Sequence, residues 1–115
     1  MRYMIVDDNA RMRGVLRLLV GRRGDEVLEC SSGEEALQRY DVFHPDAVLL
    51  DVELKGIDGF ETLRKLKKLD PGARVLIVTN YDSPLYRKQA ADEGALAFVS
   101  KDDLTNIASL LPPRS

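Results

Sequence analysis

Four short stretches of the chain are apolar at nearly every position: Tyr3-Met4-Ile5-Val6, Ala47-Val48-Leu49-Leu50, Val75-Leu76-Ile77-Val78 and Ala95-Leu96-Ala97-Phe98-Val99. Runs of this length without polar alternation predict strands covered on both faces. The segments between them have helical spacing, clearest in Met12, Val15, Leu16 and Leu19 and again in Leu104, Ile107, Ala108 and Leu111. Each set forms a stripe that packs on a sheet. A weaker strand, Glu26 to Cys30, follows the Gly24-Asp25 turn. Ser32 and Glu35 have capping-box spacing at the start of a second helix, and Asp58 caps a third carrying Phe60, Leu63 and Leu66. Ser83-Pro84 opens a fourth helix that stops near Gly94, and Pro112-Pro113 closes the fifth. The order is β-α repeated five times, without repeats or low-complexity linkers. Such a chain folds as an α/β domain, with right-handed crossovers placing helices on both faces of a parallel sheet.

In sheets of this kind reactive groups gather beyond the carboxyl ends of the strands, where the strand order reverses. The residues just past the strong strands are Asp7-Asp8, Asp51, Thr79 and Lys101. Each has an ordinary explanation by itself. Asp8-Asn9 suits a helix cap, Asp51 a turn, Thr79 a strand and Lys101 a solvated charge. Together those explanations require separate coincidences at the one edge where chemistry is expected. Three converging carboxylates repel, so at least one is expected to have a raised pKa. A divalent cation removes the repulsion, and hard oxygens too few for a calcium cage favour Mg²⁺ with retained waters. A cation site beside a hydroxyl and an ammonium is what phosphoryl transfer requires, with Asp51 the nucleophile that becomes an acyl phosphate.

Composition narrows the classes further. The chain has 115 residues, with 17 basic and 19 acidic side chains for a formal charge of −2. That length suits one domain with its own core. The near-neutral charge argues against direct nucleic-acid binding. Cys30 is the only cysteine and His44 the only histidine, which excludes an internal disulfide and Cys- or His-rich metal sites. No apolar run approaches the roughly 18 residues of a membrane span. A cytoplasmic location is the expectation, with Met1 read as a natural start.

With these residues in place, the chain resembles the receiver domain of two-component response regulators from its first strand to its fifth helix. The matching pieces are Ile5-Val6-Asp7-Asp8, Leu49-Leu50-Asp51-Val52-Glu53-Leu54 with Gly56 to Gly59, Val78-Thr79-Asn80, and Phe98-Val99-Ser100-Lys101. The resemblance implies a flavodoxin-like (βα)5 sandwich with strand order 2-1-3-4-5 over residues 1–111, and residues 112–115 as a tail or the start of a linker. It implies that Asp51 accepts a phosphoryl group from a sensor histidine kinase or histidine phosphotransfer protein. Asp8 would bind Mg²⁺ directly, Asp7 mainly through water, with Asp51 and the Glu53 carbonyl completing the site. Lys101 would pair with Asp51 and then with the phosphoryl group. Thr79 would move to it, and Phe98 would swing, changing the surface of the fourth helix, fifth strand and fifth helix. That surface would act on a downstream protein or effector domain, with a phosphorylation-linked homodimer as one form of output.

Departures from the family pattern are Phe98 without a tyrosine hydroxyl, Lys55 in place of a frequent proline, and Asn80 in place of a smaller residue. Glu53, Asn80 and Tyr81 occupy positions that the resemblance links to phosphoryl lifetime. The fourth helix has only Leu85, Tyr86, Ala90 and Ala91 as anchors and is expected to shift at little cost. Residues 9–24 carry Arg11, Arg13, Arg17, Arg22 and Arg23 and no acid. They suit either a solvated helix face or docking to an acidic patch on the phosphodonor. Two other classes compete: a haloacid-dehalogenase-type phosphohydrolase, which lacks its Asp-x-Asp motif and cap here, and a docking module that accepts no phosphate. A flavin module is excluded, because the acidic loop after the first strand cannot cradle phosphate.

Overall fold

The computed structural model describes residues 1–113; the last two residues of the expected tail, Arg114 and Ser115, lie outside the described residues. Its elements are β1 (Arg2–Val6), α1 (Ala10–Val20), β2 (Glu26–Cys30), α2 (Gly33–Phe43), β3 (Ala47–Leu50), α3 (Gly59–Leu69), β4 (Val75–Thr79), α4 (Pro84–Asp92), β5 (Ala97–Ser100) and α5 (Ile107–Leu110). The five strands form one parallel sheet in the order β2-β1-β3-β4-β5. This is the flavodoxin-like order that the resemblance implied.

Side chains alternate across each strand, so the apolar runs feed two cores at once. Met4, Val6, Val48, Leu50, Val75 and Ile77 pack with Ala36, Phe60, Leu63, Leu66 and Ala90 from α2, α3 and α4. Tyr3, Ile5, Leu49, Leu76, Val78 and Val99 pack with Leu16 and Val20 of α1 and Ile107 of α5. The expected caps form: Asn9, Ser32, Asp58 and Ser83 each accept from a backbone N–H in the first turn of the helix that follows.

Two helices differ from the sequence pattern. In α1 the stripe facing the sheet is Met12, Leu16 and Val20, whereas Val15 and Leu19 stay 43% and 41% exposed. Those two lie on the flank opposite Arg13 and Arg17, which reach towards β2. The α5 helix on the other side is a single turn and does not cover them. It is short because Thr105 bonds back to Asp103 just ahead of it, and Pro112-Pro113 follows. Leu104 and Leu111 nevertheless pack where the stripe put them. The α4 helix is anchored more lightly than expected, since Leu85 is 78% exposed and Ala90 is its one fully buried residue.

Register decides where the strand ends meet. Val6 lies opposite Leu50, Leu50 opposite Ile77, and Thr79 opposite Ser100. Asp7, Asp51, Thr79 and Lys101 therefore share one edge of the sheet. The loop after β3 is tightly held there. The Gly59 N–H donates to the Val52 carbonyl at 2.7 Å, and a Cβ at Gly59 would lie 2.1 Å from the Asp51 carbonyl oxygen. Gly56 has φ of +78°, a left-handed conformation that favours glycine, with the Glu34 carboxylate against it. Gly59→Ala forces the end of β3 and the start of α3 apart. It should lower stability by about 1–3 kcal/mol or more, read as a reduced urea midpoint with unchanged slope.

Candidate functional site

The chain leaves β1 through Asp7, which is buried, and Asp8, which is exposed. The Asp7 N–H donates to the Cys30 carbonyl at 3.1 Å, and its Oδ1 accepts from the Asn9 N–H at 2.8 Å. Asp51 leaves β3 directly alongside, with its N–H donating to the Val6 carbonyl at 3.0 Å. Oδ1 of Asp51 accepts from the Glu53 N–H at 3.2 Å. Lys101, at the end of β5, reaches across the edge with its side chain only 7% exposed. Its Nζ lies 2.8 Å from Asp7 Oδ2 and 2.9 Å from Asp51 Oδ2.

Burial is the main force that raises the pKa of Asp51 above the ordinary carboxylate value, and repulsion from Asp7 adds to it. The Lys101 bond opposes both without reversing them. One carboxylate is thus raised, as the clustering predicts, but desolvation contributes more than the neighbouring charge. Burial acts to lower the pKa of Lys101, and the bonds to Asp7 and Asp51 outweigh it, so the ammonium is held charged.

Ligand oxygens from Asp7, Asp8 and Asp51 all lie within 4.8 Å of one another. Asp7 Oδ2 is buried with the Lys101 ammonium 2.8 Å away as an ion-pair partner, and no well-aligned hydrogen bond completes it. Hard anionic oxygens with one such incompletely satisfied atom fit a small divalent cation such as Mg²⁺. Glu53 is exposed, beside a groove of about 550 Å³ that also borders Asp8, Phe60 and Tyr86.

Thr79 is fully buried at the end of β4, and its Oγ1 accepts from the Tyr81 N–H at 3.2 Å. It is thereby tied to its own loop. Phe98 is half-buried on β5 under the Arg87 guanidinium, 4.8 Å from the ring centroid. Both Asp82 oxygens accept from that guanidinium, so one carboxylate in the β4–α4 loop holds the cation over the ring. Tyr86 packs edge-on against Phe60 at 5.3 Å between centroids, with Tyr81 beside it.

All the residues singled out at the strand ends therefore share one edge of the sheet, with Phe98 two positions before Ser100 on β5. Sequence reasoning missed the Glu34 grip on the loop after Asp51, the Asp82–Arg87 pair and the contacts of Arg13. No local pattern marks them, because their partners come from other elements. Arg13 is held more closely than a solvated helix face would have it: its side chain is 17% exposed and pairs with Glu29.

A family model for the response regulator receiver domain matches residues 3–111. The chain is 34% identical over 107 residues to the DNA-binding transcriptional activator EvgA of Escherichia coli strain K12, covering 92% of this chain and 52% of that one. It is 31% identical over 101 residues to the chemotaxis protein CheY of Thermotoga maritima, covering 87% and 84%. A crystal structure of a response regulator protein from Burkholderia pseudomallei with a phosphorylated aspartic acid, a calcium ion and citrate superposes with a TM-score of 0.85. That match has 28% identity and covers 96% of this chain and 66% of the other. The chain belongs to the receiver domains of two-component response regulators. It spans about half the length of EvgA. Among the described residues, no helix is long and apolar enough to cross a membrane.

Because folding holds the Asp51 pKa high, its ionised form costs stability, fully so above the folded pKa and not at all below the unfolded one. In chelator-treated protein, Asp51→Asn should therefore melt above the native chain at pH 7. The advantage should vanish as pH falls through the folded and then the unfolded pKa of Asp51. Equal melting temperatures at pH 7 would contradict the raised pKa.

Proposed function

We propose that this domain is a phosphorylation switch that takes a phosphoryl group from a phosphohistidine onto Asp51. The donor is a sensor histidine kinase or a histidine phosphotransfer protein. The observation that carries the reading is the buried Lys101 ammonium shared by Asp7 and Asp51, in a receiver-family chain, at the point where the strand order reverses.

An Asp51 carboxylate oxygen attacks phosphorus, the P–N bond to the donor imidazole breaks, and the imidazole nitrogen keeps the bonding electrons. Bound by Asp7, Asp8, Asp51 and the Glu53 carbonyl, Mg²⁺ would neutralise charge on the carboxylates and the transferring group. Lys101 already touches Asp51 and needs little movement to donate to a phosphoryl oxygen. The Thr79 hydroxyl reaches the phosphoryl group by giving up its bond to the Tyr81 N–H, which pulls on the loop leading to Asp82. The domain is a signalling switch that catalyses its own modification and its reversal.

The output surface is α4, β5 and α5. Its light anchoring makes a two-state change inexpensive. Asp82 and Arg87 connect the Thr79 loop to Phe98, so loop movement uncovers the ring. This surface controls a downstream protein or an effector domain, and a phosphorylation-linked homodimer is one form that output can take. The exposed Arg11, at the start of α1, remains a docking charge for an acidic patch on the donor.

Intact mass after incubation with acetyl phosphate tests the acceptor. The expected result is a single Mg²⁺-dependent phosphoryl adduct on the native chain and none on Asp51→Asn. An adduct persisting in Asp51→Asn, or none on folded native protein, overturns the assignment. A second test addresses the output surface. Arg87→Ala should raise amide hydrogen exchange in α4 and at Phe98 about two- to fivefold, the size of an exposed cation–π contact. The rate of phosphorylation by acetyl phosphate should stay the same.

A further inference from the structure

The loop carrying Asp7 and Asp8 is only three residues long, between Val6 and Ala10, and one side chain from outside it grips its backbone. Arg13 Nη1 donates to the Asp7 carbonyl at 2.6 Å, and Arg13 Nε donates to Glu29 Oε1 at 3.0 Å. The other Glu29 oxygen accepts from Arg17 Nε at 3.0 Å, and Arg17 Nη2 donates to the Val27 carbonyl at 3.1 Å. The Arg13 guanidinium is therefore braced from β2 while it holds the end of β1.

The Asp7 carbonyl belongs to the peptide plane from which the Asp8 Cα hangs. A peptide unit is planar, so holding its oxygen restrains the position of the Asp8 Cα. Asp8 is the exposed member of the acidic cluster, and the Cα that carries its carboxylate is placed by this plane. We propose that Arg13, braced by Glu29, is a positioning residue that sets the Asp8 carboxylate for divalent-cation binding. The proposal rests on the reading of Asp7, Asp8 and Asp51 as a cation site.

Charge and position predict opposite signs at Arg13. If it acted only through its positive charge, removing it would tighten Mg²⁺ binding, since cations repel. A positioning role makes binding weaker. Outer-shell partners of metal ligands are worth roughly 10- to 100-fold in affinity. Lysine keeps the charge but lacks the fork that spans the Asp7 carbonyl and Glu29 together.

The test is calorimetric titration of the full chain with MgCl₂, with thermal melts of each variant. Arg13→Ala and Arg13→Lys should both weaken Mg²⁺ binding, Arg13→Ala by roughly tenfold or more. Glu29→Gln, which loosens the brace, should give a smaller loss in the same direction. Saturating Mg²⁺ should restore the phosphorylation rate of the variants. Unchanged or tighter binding by folded Arg13→Ala overturns the proposal while leaving the acceptor reading intact, as does a fall in melting temperature without a change in affinity. Absence of Mg²⁺ binding by the native chain overturns both.

Discussion

The constraint on which the site depends is the convergence of anionic carboxylates in a place where water cannot screen them. Asp7 and Asp51 are both buried and adjacent. Lys101 is the group that makes this tolerable, with one ammonium between two carboxylate oxygens at the junction of β1, β3 and β5. The compensation is partial, since Asp51 still carries a raised pKa. A buried pair in this condition is sensitive to any added charge. On the proposed function a cation would relieve the carboxylates, and a phosphoryl group would change which oxygens Lys101 faces. The strain that folding leaves at Asp51 is thus the source of the site's responsiveness.

Around this centre some parts are held hard and others lightly. The loop after β3 is fixed by the contact of Gly59 with the Asp51 backbone and by Glu34 against Gly56. The loop after β1 is fixed by the bonds of Asp7 to Cys30, Asn9 and Arg13. The loop after β4 is different: Thr79 is tied to it by one 3.2 Å bond, and beyond it α4 buries a single residue fully. On the proposed reading, a charge change at the rigid side would be relieved by movement at this lightly held side. The Asp82–Arg87 pair over Phe98 lies where that motion reaches the surface.

The apolar runs, their β-α alternation and the helix caps were legible in the chain because strand burial and capping are local properties. Asn9, Ser32, Asp58 and Ser83 cap their helices as the sequence suggested, with Asn9 and not Asp8 capping the first, and the acidic and basic residues at the strand ends do share one edge. The α1 stripe and the length of α5 were less legible. Which flank of α1 is covered depends on a neighbouring helix, and α5 is shortened by competition between a helical turn and the Asp103–Thr105 turn.

What the sequence determined by itself is the set of chemical groups and the edge at which they gather, since a β-α repeat with hydrophobic strands has one economical packing. Tertiary structure decided how those groups are held. The register running from β1 through β3 and β4 to β5 set Lys101 between Asp7 and Asp51, and the approach of β2 to α1 turned Arg13 from a surface charge into a backbone clamp. The reason is physical: periodicity follows from bonds between near neighbours, whereas ion pairs and desolvation depend on distances between residues far apart in the chain. Those distances exist only once the sheet has formed.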